Sequence, residues 1–188
     1  MGADPVRPKP GWWARMSEGM GTASEDGDGE VGRRSRIEFV RVLMAGESCV
    51  LELGRVERLV VDPEITRVPR SSPVIAGVTA AGSDIAPVVE GRTLLDLPPR
   101  PPEETPTLLL LDREDADRAA GLLVDEVVGI ETHDVDRVTP IAESGDWEPG
   151  VDRRWYLAVV TPDADDRPMG VLDLRTVLEA AAERSHSP

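Results

Sequence analysis

A single cysteine, Cys49, occurs in the 188 residues. That excludes an internal disulfide and a cysteine cage for zinc, and fits a reducing compartment, so a cytoplasmic location is expected. Aromatic residues supply only 3% of the chain while hydrophobic residues supply 40%. A core must therefore be built from Val, Leu, Ile and Ala, a composition that suits half-buried strands and small barrels. No apolar run approaches the roughly 18 residues of a membrane-crossing helix; the runs stay short, as from Leu108 to Leu111. Arg33 and Arg34 form a twin-arginine pair, but Arg36, Glu38 and Arg41 follow where an apolar signal core would lie, so export is not expected. Lysine is nearly missing too, with Lys9 alone among 21 basic residues.

Signatures of chemistry are equally scarce. His133 and His186 stand far apart with no HExxH pattern, so no transition-metal site is expected. Asp26, Asp28 and Glu30 resemble the start of a calcium loop, but Val31 occupies the position that needs glycine and Ile37 the one that needs glutamate. GxSxG and Walker A patterns do not occur. Cys49 with His133 as base is the one nucleophilic constellation the composition permits. Cys49 lies in an apolar strand, however, where a thiol behaves as a small buried hydrophobe. Asp125 and Glu126 are neighbours on a strand and point to opposite faces, so they cannot share a proton. No catalytic residue, cofactor or metal is expected, and His133 reads as a solvated loop residue.

What the chain has in excess is negative charge. Thirty-six acidic residues against 21 basic ones give a formal charge of -15, which repels phosphate backbones and anionic lipid, so neither nucleic acid nor direct membrane insertion is expected. Carboxylates in excess and arginine in place of lysine suit a high-salt habitat such as that of a haloarchaeon, where the Debye length falls to roughly 3 Å. A GC-rich genome explains the arginine bias equally well.

Residues 1–36, rich in Gly, Pro, Asp, Glu and Arg, cannot bury enough surface to offset the entropy of ordering and read as a disordered tail. Trp12 and Trp13 are its odd members. From Ile37 the pattern becomes two-periodic, and Ala45-Gly46-Glu47 turns one strand into the next. Val56, Leu59 and Val60 fall at i, i+3 and i+4, which predicts one helical turn between Gly54 and Pro63. Val74 to Val78 and Ile85 to Val89 read as strands. PPRPPEETP, residues 98–106, is a polyproline-like spacer expected to join two halves of the fold. Thr107 to Leu111 is a buried strand, Asp112 to Arg118 a charged turn, and Ala119 to Ile130 a strand pair. Residues 131–150 read as a polar loop anchored by Trp147. Trp155 to Val160 and Met169 to Leu172 form a hairpin around the acidic turn 163–166. An amphipathic helix capped by Asp173 follows, carrying Leu174, Val177, Leu178 and Ala181, and residues 183–188 are a short tail.

The order of Gly46-Glu47, Val56-Glu57-Arg58-Leu59-Val60, Pro73 before Ile75-Ala76-Gly77-Val78, Pro87-Val88-Val89, Gly121 to Val127, Tyr156-Leu157 and Val171-Leu172-Asp173-Leu174 resembles the CheW family of chemotaxis coupling proteins over residues 37–182. The resemblance implies a mostly β fold, two SH3-like five-stranded β-barrel subdomains side by side, with short helices and a C-terminal helix. It further implies a scaffold, not an enzyme, that couples the cytoplasmic tip of chemoreceptors to the regulatory domain of a CheA-type histidine kinase. By position it places Val56, Gly77 and Gly82 near a receptor-binding groove walled by Val78 and Val88, with Arg92 also on the protein-binding surface. Plain core packing is the competing reading for the valines, and a backbone requirement for Gly77; Gly77→Arg would separate the two by weakening binding while leaving the fold intact.

Two departures bear on that function. Where the family carries Asn-Leu-Arg-Gly, this chain has Ala80, Ala81, Gly82 and Ser83, so Gly82 stands at the characteristic arginine, whose rigid fork of donors glycine cannot replace. Where the family carries Asp-Leu-Arg, the chain has Glu90, Gly91 and Arg92. The alternative is thus a divergent adaptor in a signalling array or another two-component system that no longer couples receptors.

Overall fold

The computed structural model describes residues 35–112, 119–162 and 167–186. The tail with Trp12 and Trp13, the calcium-loop-like residues 26–30, and the acidic turns 113–118 and 163–166 lie outside the described residues.

Strands β1 (Arg36–Met44) and β2 (Glu47–Glu52) form a hairpin across the turn at Ala45 and Gly46, both of which take positive φ. A 3-10 turn at Leu53–Arg55 leads into β3 (Val56–Val61). Next come β4 (Ile75–Ala81), β5 (Asp84–Glu90), the one-turn helix α1 (Gly91–Leu94), β6 (Thr107–Leu111) and β7 (Ala120–Val124). Then follow β8 (Glu126–Asp134), β9 (Val138–Pro140), β10 (Tyr156–Val160), β11 (Met169–Leu172) and α2 (Leu174–His186). The strands make two sheets, a six-stranded one in the order β8-β1-β2-β11-β10-β9 and a five-stranded one in the order β3-β6-β7-β5-β4.

The predicted helical turn at Val56 to Val60 is instead strand β3, antiparallel to β6. A bulge between Val56 and Arg58 inserts one residue and breaks the two-residue alternation, which is how a β-branched strand came to show a helical spacing. Residues 131–134, expected in a loop, continue β8 against β1. Two of their carboxylates are ion-paired across the ladder: Arg36 Nε lies 3.2 Å from Asp134 Oδ1, and Arg41 Nη1 lies 3.1 Å from Glu131 Oε1.

The proline-rich segment does not divide the fold into halves. It joins α1 to β6, and β5 and β6 both belong to the five-stranded sheet. The chain crosses between sheets at Leu53–Arg55 and again at Asp125, so the five-stranded sheet is an insertion within the six-stranded one.

Between the sheets lies a shared core. Val40, Val42, Met44 and Leu51 come from one sheet, Val89, Leu109, Leu122 and Val124 from the other, and Leu174, Val177 and Ala181 from α2. Strands β6 and β7 are buried along their whole length, as central strands covered on both faces must be. A second cluster of Ala86, Val88, Leu108, Leu110 and Leu123 fills the other face of the five-stranded sheet. Helix α2 starts as expected at Asp173, whose Oδ1 accepts the backbone N–H of Arg175 and Thr176 at 3.1 and 3.2 Å, satisfying two donors that the first helical turn leaves open.

Candidate protein-interaction surface

Burial of β6 and β7 leaves the sheet edges as the places where apolar side chains reach solvent. Leu59 and Val61 on β3 are 45% and 72% exposed, and Val128 and Ile130 on β8 are 48% and 60% exposed. Each strand ends its sheet. Val56 on β3 and Val127 on β8 are half-buried against the shared core, so that core emerges at these two edges. Leu59 sits opposite fully buried Leu109, and Ile130 opposite Val40, which places each exposed residue beside a core position. Ile85, beside the β4–β5 turn, is 72% exposed.

The residues singled out from sequence are not gathered in one place. Val56 is half-buried, as is Val78, which pairs with Pro87 and bridges to Thr66. Val88 is fully buried in the second cluster. Gly82 opens the two-residue β4–β5 turn at φ +63, with open space where a Cβ would stand. Gly77 has φ +154, and a Cβ there would collide with the Thr66 carbonyl and with Ile65 Cγ2. The Gly77→Arg experiment therefore cannot leave the fold intact.

Arg92 is turned inward, its side chain 7% exposed. Its Nε lies 2.8 Å from Asp125 Oδ1 and its Nη2 2.6 Å from Asp125 Oδ2, while Nη1 donates to the Pro99 carbonyl at 3.1 Å and Nη2 to Glu104. Arg100, from the proline-rich segment, bonds Asp125 Oδ1 at 3.1 Å and Glu90 Oε2 at 3.0 Å. Asp125 also accepts the Ala45 N–H at 2.6 Å. This ionic knot fastens the segment 98–104 and ties the β1–β2 turn to α1 across the two sheets. The hydrogen bond to Asp125 holds the Arg92 guanidinium above its ordinary value, against the opposing effect of burial.

Sequence reasoning missed Val128, Ile130, Leu59, Val61 and Ile85 as surface residues. GLLVDEVVGI is nearly unbroken in apolarity, and such a run does not say which end is covered. It also missed the knot, for which the one available signal was an aspartate set inside that apolar run.

Cys49 and His133, weighed as a nucleophile and its base, are both packed away from solvent. Burial, with a smaller contribution from Glu47, pushes the Cys49 thiol up to about 12, so almost no thiolate exists at neutral pH. Native protein is expected to leave a thiol reagent unreacted until denaturant is added; stoichiometric labelling in buffer would contradict this burial. His133 is not a solvated loop residue: it lies on β8 with its side chain 14% exposed, 3.1 Å from Glu131 and tilted against Phe39. Among the described residues no group of three or more His, Cys, Asp or Glu side chains could hold a metal, and no helix is long and apolar enough to cross a membrane.

Comparison with known proteins gives this scaffold a context. A crystal structure of the scaffolding protein TtCheW from Thermoanaerobacter tengcongensis superposes with a TM-score of 0.66 at 21% identity, covering 77% of this chain and 94% of that one. The two proteins share the fold described above. Comparison with curated protein sequences gives no match. The CheW-like domain family matches residues 38–182; on the strength of that span, the chain belongs to the CheW-like domain family.

Proposed function

We infer that this protein is a chemotaxis scaffold, a non-catalytic coupling protein that works on the cytoplasmic side by holding a CheA-type kinase regulatory domain and a chemoreceptor tip. The observation that carries the reading is the pair of apolar sheet edges, Leu59 and Val61 on β3 and Val128 and Ile130 on β8, on a domain of the CheW-like family. Exposed apolar residues that form a contiguous patch mark sites of protein contact. A receptor helix laid against such a surface would place residues at i, i+3 and i+4 beside them. Val56, half-buried on β3, is assigned to this surface, whereas Val78 and Gly82, on and beside β4 at the other end of the five-stranded sheet, are assigned to a separate contact. Val88, Gly77 and Arg92 act through the fold that shapes it. The acidic surface fits working conditions of high salt.

One observation favours the adaptor reading. Gly82 supplies no guanidinium where the family's arginine would stand, and open space surrounds it. Calorimetry in several molar KCl against the kinase regulatory domain, with and without a receptor-tip fragment, separates the two. Micromolar or tighter binding to both establishes a coupling protein, binding to the kinase alone an adaptor, and binding to neither by the folded protein overturns both. Leu59→Asp is expected to weaken the kinase or receptor contact about tenfold or more, with an unchanged circular dichroism spectrum because the side chain is exposed.

A further inference from the structure

Charge is unevenly spread along this acidic chain. No Asp or Glu occurs from Ile65 to Ser83, the longest such stretch in the sequence, and its only charged residues are Arg67 and Arg70. Both arginines are exposed, and neither has a hydrogen-bond or ion-pair partner among the described residues. Other guanidiniums are consumed within the fold, Arg36 and Arg41 by carboxylates on β8, Arg92 and Arg100 by Asp125.

The two arginines sit on a turn whose base is fixed. Thr66 and Val78 exchange backbone N–H···O bonds of 2.9 Å, Thr79 Oγ1 donates to the Glu64 carbonyl at 2.9 Å, and Ile65 packs on the second core cluster. Beyond Thr66 the chain reverses through Val68-Pro69-Arg70-Ser71. The Ser71 N–H donates to the Val68 carbonyl at 3.2 Å, and Ser71 Oγ donates to the same oxygen at 2.9 Å. Proline stands at the second position and Arg70 at the third with φ +64, the geometry of a type II turn, whose third position favours glycine. Arginine there costs backbone strain that glycine would avoid, and no side-chain contact within the described residues offsets it.

We propose that the turn from Arg67 to Arg70 is a docking site for an acidic segment of a partner protein, one with a carboxylate on either side of an apolar residue. Each guanidinium donates a fork of hydrogen bonds to a carboxylate, and Val68, 41% exposed between them, meets the apolar side chain. Being anchored at its base, the turn loses little freedom on binding. The formal charge of -15 does not oppose this. In about 1 M salt the Debye length is roughly 3 Å, so a short segment at the turn meets these arginines and not the carboxylates beyond the stretch. A nucleic acid or a second copy of this chain is a poorer occupant, because either would press an extended negative surface against those carboxylates as well.

The test uses the full chain in about 1 M KCl and a ten-residue probe that alternates glutamate with valine, beside a probe of the same pattern with glutamine for glutamate. NMR follows the backbone amides of residues 66–72 and the Nε–H signals of Arg67 and Arg70. The acidic probe is expected to shift these signals saturably, and the neutral probe to bind about tenfold or more weakly. Arg70→Gly should weaken the acidic probe about tenfold as well, yet leave the urea midpoint no lower than that of the wild type, because glycine relieves the turn. Arg175→Gln, which removes an exposed arginine on α2, should leave the affinity unchanged. No shifts with the acidic probe, equal affinity for the neutral one, an equal loss with Arg175→Gln, or shifts that appear as the protein alone is concentrated would overturn the proposal. An Arg70→Gly variant that binds normally, or that is less stable, would overturn it too. None of these readouts requires a kinase or a receptor, so their failure leaves the coupling function untouched.

Discussion

Replacing Asp125 with alanine is expected to destabilise the protein by about 3–5 kcal/mol, the usual cost of removing one partner from a buried ion pair. The urea midpoint should fall with the slope unchanged. The side chains of Arg92, Arg100 and Asp125 are 7%, 10% and 15% exposed, so water cannot replace the lost carboxylate. Arg100 would keep Glu90 and Arg92 would keep Glu104, which holds the loss near the lower end of that range. The half-buried Ala45 N–H adds to it by losing its acceptor. A pH series gives the same group a second signature. Burial would raise the Asp125 carboxyl, but the hydrogen bonds from Arg92, the Ala45 N–H and Arg100 outweigh it and hold the group below the usual carboxylate value. A carboxylate depressed in the folded state contributes stability that is complete above its unfolded value, about 3.9, and is lost as pH falls through the folded one. Stability of the wild type should therefore decline below about pH 4 more steeply than that of Asp125→Asn. Parallel curves would mean the knot contributes nothing as an ionic device.

Gly77→Ala is expected to cost about 3 kcal/mol, from strain at a positive φ together with overpacking. The added methyl would overlap the Thr66 carbonyl and come within 2.7 Å of Ile65 Cγ2, and Thr66 is the residue that covers the edge of β4. Backbone in the way cannot rotate aside as a long side chain can. Gly82→Ala is the control: φ is +63 there too, but nothing lies within 4 Å of the new Cβ, so only the conformational penalty of about 1 kcal/mol applies. Equal midpoints for the two variants in urea would show that the collision at Gly77 is relieved by movement of the 65–66 segment.

The strands were legible in sequence wherever composition and periodicity agreed. Thr107 to Leu111 reads as a strand, and β6 has those bounds; Asp173 reads as a cap and is one. The failures share a physical cause, which is that partners distant in sequence decided the outcome. Val56 to Val61 shows a helical spacing alone and becomes a strand through pairing with β6. Glu131 to Asp134 looks like loop until Arg36 and Arg41 of β1 are set beside it. Proline-rich 98–106 reads as a divider because its composition says nothing of Arg100 being drawn to Asp125. The surface was less legible than the fold. The place of Arg92 in a motif points to a contact residue, whereas its charge is consumed by Asp125 and Glu104, and which valines of a continuous apolar run face water depends on where each sheet stops.

The insertion of one sheet within the other orders events during synthesis. Strands β3 to β7 are contiguous, and their pairings can all form once Val124 has left the ribosome. Strands β1 and β2 must wait, because β8 covers one side of that hairpin and β11 meets β2 in parallel, Gly170 beside Cys49. Closing so long a loop is entropically slow. During that wait the apolar faces of the first hairpin stand open in the cell, the N-terminal strands being made first and finished last. A chain stalled between Asp125 and Leu172 would thus carry one complete sheet and one two-stranded ribbon with both edges open and prone to aggregate.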